Sequence, residues 1–111
     1  MKIVRATEVY KYEAPGHFDV RTLRIHNPAD VKDGQVTMGI SHFLPEGGAD
    51  FAVAKFEMVY YIVSGEMTVT TDDGEYVLGA GDSIHIAAGE GRGSKNNTKS
   101  PATMLVVMIK K

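Results

Sequence analysis

Residues 81–96 read GDSIHIAAGEGRGSKN, and this stretch decides the fold. It follows the turn Gly79-Ala80-Gly81-Asp82 and enters the short alternating run Ser83-Ile84-His85-Ile86. Successive side chains on a strand point to opposite faces, so Ile84 and Ile86 share one face and Ser83 and His85 the other. Which of the two lines an interior is left open by this segment alone.

Working outward, the same alternation recurs. Val36, Met38, Ile40, His42 and Leu44 share a face that should look inward, with Thr37, Gly39, Ser41 and Phe43 opposite. Met58, Tyr60 and Ile62 alternate with Val59, Tyr61 and Val63 up to the turn Ser64-Gly65. Met67 to Thr70 runs into Thr71-Asp72-Asp73-Gly74, whose Asp-Gly pair favours a tight hairpin. Tyr76-Val77-Leu78 returns from it, and the apolar run Met104 to Ile109 reads as a strand covered on both faces. Helix signals are almost absent. Residues 27–32 offer one helical turn that Gly34 ends early, and Glu13-Ala14-Pro15-Gly16 is a turn within the N-terminal section rather than a linker. Short strands at this spacing predict an all-β sandwich or barrel.

The spacing of Gly81, Ala87, Gly89, Arg92 and Asn96, taken with FEMVYYIVSGEMTV (Phe56 to Val69), resembles the two sequence motifs of the cupin superfamily. The resemblance runs from Val36 to Ile109 and implies a jelly-roll barrel with a pocket between its sheets. It also implies that the family's metal-binding histidine falls on Arg92, whose guanidinium stays protonated and cannot bind a divalent cation. Counting back from Gly65 puts Met58 at the family's glutamate and Ala52 and Ala54 at its paired histidines. Counting forward from Gly47 offers Val53 and Lys55 instead, and no histidine lies between His42 and His85 in either register. Within this motif the glycine-rich Gly89 to Gly93 reads as a turn between strands.

At 111 residues the chain is read as one cupin domain, with an N-terminal arm over residues 1–35 and the barrel over 36–109. Such a length buries roughly 65% of the unfolded surface in a single core. A hydrophobic fraction of 43% and a charged fraction of 23% are ordinary for a globular protein. The net charge of -2 makes no electrostatic case for nucleic acid or an anionic membrane as partner. With no cysteine there is no disulfide framework, thiolate metal site or cysteine nucleophile. The opening residues are charged from Lys2 and lack an apolar signal core, so a cytoplasmic address is the default expectation.

Arg92 is the sharpest candidate for chemistry. The resemblance points it into the pocket, where a guanidinium fixes a carboxylate or phosphate through paired hydrogen bonds. The plainer alternative pairs it with Glu90 or Asp82 at the pocket mouth. His42, on the face expected inside, is a candidate general base or acid. Tyr60, on the face of Met58, is a candidate to orient a ligand or donate a proton. His85 joins a His-Arg-His cluster if its face is the inner one, and is a surface histidine otherwise. Lys55 and Glu57 read as a solvated pair at the strand edge, and His17 and His26 lie where nothing resembles a ligand set.

Together these give a metal-independent lyase or isomerase acting on a small organic acid. Arg92, His42 and Tyr60 are the catalytic candidates, and Arg92, Tyr60, Met58, Ala52, Ala54 and His85 the ligand-binding ones. No cofactor is expected. The expected partners are the small anionic molecule and a second copy of the chain, paired by the N-terminal strands as the resemblance implies. Two alternatives stand beside this reading. One is a non-catalytic binding or sensor module, and the other a metal cupin with atypical ligands drawn from His42, His85 and Glu57.

Overall fold

The computed structural model describes residues 1–27, 29 and 34–110. The helical turn expected over residues 27–32 falls almost wholly outside them. Among the described residues nine strands form the fold: β1 (Tyr10–Lys11), β2 (His17–His26), β3 (Val36–Val53), β4 (Glu57–Ser64), β5 (Glu66–Thr71), β6 (Gly74–Gly79), β7 (Ser83–Ile86), β8 (Gly91–Lys95) and β9 (Ala102–Ile109). A 3-10 turn at Ala6–Glu8 precedes them. Among the described residues no helix is long and apolar enough to cross a membrane.

Hydrogen-bonded neighbours run β6-β5-β8-β3-β9-β4-β7, with β2 added to β3 and β1 to β2. Every pairing is antiparallel. The 18-residue β3 belongs to both layers of the barrel. Its first half, Val36 to Phe43, lies between β9 and β2, and its second half pairs with β8. The result is an all-β, nearly closed jelly-roll barrel.

The turns follow from local chemistry. Thr71 pairs with Gly74, so Asp72 and Asp73 make the hairpin loop, and Gly74 takes φ 137° where a side chain would be strained. Gly65 sits at φ 79°, and a Cβ there would lie 2.8 Å from the Cα of Ala102.

Inward positions along β4, β5 and β9 supply Met58, Tyr60, Ile62, Met67, Val69, Ala102 and Met104, with Phe43 from β3 and Ile86 from β7. Each large apolar side chain fully buried here contributes about 1.5–3 kcal/mol relative to exposure. The face expected inside on β3 is reversed. Thr37, Gly39, Ser41 and Phe43 are buried, while Val36, His42 and Leu44 are exposed. Of these, Ser41 borders the cavity beside the core.

Candidate functional site

The core fills one part of the barrel, and beside it lies a cavity of about 320 Å³. Met58 and Tyr60 from β4 and Met104, Val106 and Met108 from β9 form its apolar wall. Its polar wall comes from Arg92 and Ser94 on β8, Ser41 on β3 and Arg24 on β2. The N-terminal segment Tyr12 to Pro15 and His17 border the same space. A smaller space of about 50 Å³ adjoins it, shared by Pro15, His17, Tyr60, Arg92 and Ser94 and bordered by Asp50 and Ala52.

Arg92 is held from two sides. Its Nε donates to the Tyr60 hydroxyl at 3.2 Å, and its Nη1 donates to the Ala52 carbonyl at 2.9 Å. The Ala52 contact follows from the ladder, since Ala52 and Arg92 are register partners across β3 and β8. A bulge between Ala49 and Ala52 lays Phe51 over β8. A Cβ at Gly91 would come 2.4 Å from the Phe51 ring, so a larger residue there would require the exposed Phe51 side chain to shift. Among the described residues Arg92 makes no ion pair. Glu90, the alternative partner, accepts instead from the Ala87 amide at 2.7 Å, and Asp82 accepts from the Gly79 amide at 2.9 Å.

Tyr60 is 8% exposed and Met58 3%, and both face the cavity. Ala52 borders the smaller space, whereas Ala54 is buried in the core and is not part of either wall. Its amide donates to the Glu90 carbonyl and its carbonyl accepts from the Gly89 amide.

His42 and His85 are outside the barrel, contrary to the inward placement considered for them. His42 Nδ1 is 3.0 Å from the Thr103 hydroxyl, on the outer side of the ladder where those residues are register partners. The reversed β3 face is the cause: its outer side carries Met38, Ile40 and Leu44, which imitate a core-facing pattern. His85 Nε2 lies 2.7 Å from Glu57, so Glu57 pairs with a histidine rather than with Lys55. Ile84 and Ile86 take the inner side of β7, packed on the core.

The residues that sequence reading missed come from the N-terminal section. Tyr12 is anchored to β2, its carbonyl accepting from the Thr22 hydroxyl and its amide donating to the Thr22 carbonyl. The Arg24 guanidinium lies 4.0 Å above the Tyr12 ring. The turn at Pro15-Gly16 is tied to β3 by the Asp50 amide, which donates to the Gly16 carbonyl at 2.9 Å. His17 Nδ1 is 2.9 Å from the Pro15 carbonyl. A carbonyl only accepts, so Nδ1 carries the proton, and Nε2 has no hydrogen-bond partner among the described residues.

A metal fits these walls poorly. Among the described residues no group of three His, Cys, Asp or Glu is placed to hold one. His85 and Glu57 pair on the outer surface, and His42 is engaged with Thr103, so the atypical set does not converge.

The fold and cavity define a jelly-roll barrel with a partly open pocket of small-molecule size. The chain belongs to the cupin family, whose cupin-domain model matches residues 43–108. It is 38% identical to the β-D-galactosidase Rv1717 of Mycobacterium tuberculosis over 108 residues, 97% of this chain and 93% of that one. The polyketide cyclase RemF of Streptomyces resistomycificus superposes with a TM-score of 0.84 at 22% identity, over 100% of this chain and 80% of that one. A cupin-superfamily sugar phosphate isomerase of Silicibacter pomeroyi superposes with a TM-score of 0.78 at 20% identity, over 99% and 76%. At such identities the two structures speak to fold alone.

Proposed function

We propose that the barrel cavity binds a small organic acid and moves a proton on it, as a lyase or isomerase that needs no metal. The observation that carries this reading is Arg92, a guanidinium on the cavity wall held by Tyr60 and Ala52 and free of any carboxylate among the described residues. The N–H groups left over match the planar geometry of a carboxylate. Tyr60 accepts from Arg92 and therefore keeps its own O–H to donate to the ligand. His17, whose Nε2 has no hydrogen-bond partner among the described residues, takes the role of proton acceptor in place of His42. In the step itself, His17 takes a proton from the carbon beside the acid group. Tyr60 delivers one to a neighbouring atom, and solvent restores both groups. The apolar wall of Met58, Met104, Val106 and Met108 holds the ligand's body and thins out competing water.

Glycoside hydrolysis is the second reading, supported by the name of the 38% identical relative. Two carboxylates normally flank the bond in that chemistry. Glu13 on the larger space and Asp50 on the smaller one are the pair available. Glu13 suits it badly, since its side chain is 93% exposed and leans toward Lys11 at 3.9 Å.

One assay separates these readings. Wild type, Arg92→Lys and Arg92→Ala are titrated with small carboxylic and phosphorylated acids by thermal shift, and each is tested for nitrophenol release from nitrophenyl β-D-galactoside. The acid reading expects Arg92→Ala to lose about 1.5–3 kcal/mol of binding, with Lys in between. Equal shifts in all three proteins, or galactoside turnover that depends on Glu13 with no acid bound, would overturn it. Binding without turnover would leave a ligand-binding module.

The same reading includes a homodimer. Val59, Tyr61 and Val63 on β4 are 37%, 43% and 47% exposed, beside Leu105 and Val107 on β9. We take a second copy of the chain as the cover for this apolar strip, an interface on the outer face of β4 and β9 rather than the N-terminal strand pairing that the resemblance implies.

A further inference from the structure

Two cations border one cavity. Arg24 reaches the space from β2, Arg92 from β8. Arg24 makes no ion pair among the described residues, and its partner is the face of the Tyr12 ring. Stacking holds a guanidinium by its flat side and leaves the whole edge of N–H donors unspent. Arg92 spends part of its edge on Tyr60 and Ala52 and keeps the rest.

The surroundings do not neutralise the pair. Glu13, the carboxylate on the same wall, is 93% exposed and oriented toward Lys11. Asp50 borders only the smaller space. Ser41, Ser94, Tyr12 and Tyr60 are neutral donors and acceptors. Two like charges that border one partly open cavity repel each other. A ligand with one acid group pairs one guanidinium and leaves the other without an anionic partner, whereas a ligand with acid groups at both ends pairs both.

We propose that the cavity's ligand is a dianion with acid groups at two ends, one held by Arg92 and the other by Arg24 on its Tyr12 platform. The inference rests on the acid-binding reading and narrows its substrate class to dicarboxylates or phosphorylated carboxylic acids. A cavity of about 320 Å³ suits a compact molecule of this kind. Arg24 is then the residue that sets specificity, and Arg92 the one that sets binding as such.

The test uses three probes of matched chain length: galactonate with one carboxylate, galactarate with two, and phosphogluconate with a carboxylate and a phosphate. Affinities are measured by calorimetry for wild type, Arg24→Gln, Arg24→Lys and Arg92→Gln. The expected result is at least about tenfold tighter binding of one two-ended acid than of galactonate, as a charged hydrogen bond implies. Which one binds tighter decides between the two acid types. Arg24→Gln should abolish the preference, weakening the favoured two-ended acid to about the affinity of galactonate. Arg24→Lys, which keeps the charge and loses the stacked fork, should retain part of it and controls for altered folding. Equal affinity of wild type for one- and two-ended acids would overturn the inference, as would a preference that survives Arg24→Gln. If galactonate binds and Arg92→Gln abolishes that binding while no dianion is favoured, only the dianion inference falls. If no acid binds wild type, the acid-binding reading falls with it.

Discussion

Along β3 the inner positions are Thr37, Gly39, Ser41 and Phe43, whereas the outer ones are Val36, Met38, Ile40, His42 and Leu44. The outer side is the more apolar of the two. On β4 the contrast is softer, with Met58, Tyr60 and Ile62 inside and Val59, Tyr61 and Val63 outside. A barrel that simply buried its greasiest residues would turn β3 the other way. The inner wall is instead built for two purposes, close packing around Phe43 and Ile62 and a polar recess around Ser41, Arg24 and Arg92. The outer wall keeps an apolar surface that a partner can cover.

The strongest way to break this contrast is to exchange neighbours on one strand. Phe43 is 1% exposed and Leu44 is 56% exposed. Phe43→Ala should cost about 3–5 kcal/mol of stability, through lost transfer energy and the cavity left behind. Leu44→Ala should stay within about 0.5 kcal/mol unless the outer face is an interface. Urea unfolding of both variants reads the difference directly. Similar losses would mean that the two faces of β3 are equally buried in solution.

A second test concerns the outer wall. Tyr61→Asp places a charge in the centre of the apolar strip on β4 and should raise the dimer dissociation constant at least about tenfold. Light scattering on a sizing column, run over a dilution series, measures it. The folded monomer should keep its melting profile, because the Tyr61 side chain lies outside the core. A wild-type protein that is monomeric at micromolar concentration would remove the dimer from the reading.

The contrast also explains what was legible in the sequence. β4 and β7 were readable from regular alternation, β5 and β6 from the hairpin turn between them, and β9 from its unbroken apolar run, with glycine at positive φ in the turns at Gly65 and Gly74. Arg92, Tyr60, Met58 and Ala52 were readable as neighbours because motif spacing fixes which side of β4 and β8 meets the interior. The N-terminal half of the site was not. Arg24, Tyr12 and His17 reach the cavity through the β2–β3 pairing, which matches Arg24 with Gly39 and His17 with Ala49. Pairing over such sequence distances leaves no local mark. The one available signal was Val20, Thr22 and Arg24 sharing a face of β2, a cation in line with a core valine. His42 was misplaced because periodicity reports that two faces differ, and hydrophobicity alone cannot say which is inside when the outer face is also covered with apolar side chains.

The smallest expected effect is the most direct check on where the site lies. His42 and His85 are the two histidines that motif-centred reasoning drew toward the pocket, and both sit on the outer wall. His42 meets Thr103 at 3.0 Å and His85 meets Glu57 at 2.7 Å, each in an exposed setting where such a pair is worth little. Neither side chain borders the space that Arg92 and Tyr60 share. His42→Ala and His85→Ala should therefore change stability and ligand affinity by less than about 0.5 kcal/mol each. His17→Ala, made alongside, should leave stability near wild type and abolish most proton transfer, since it removes the Nε2 at the cavity wall. Turnover by each variant on any acid found to bind, measured with its affinity, separates the three histidines. A tenfold loss from His42→Ala with an intact His17→Ala would move the chemistry to the outer groove beside Asp19 and Leu44, and the polar recess would then be a binding pocket without a reaction.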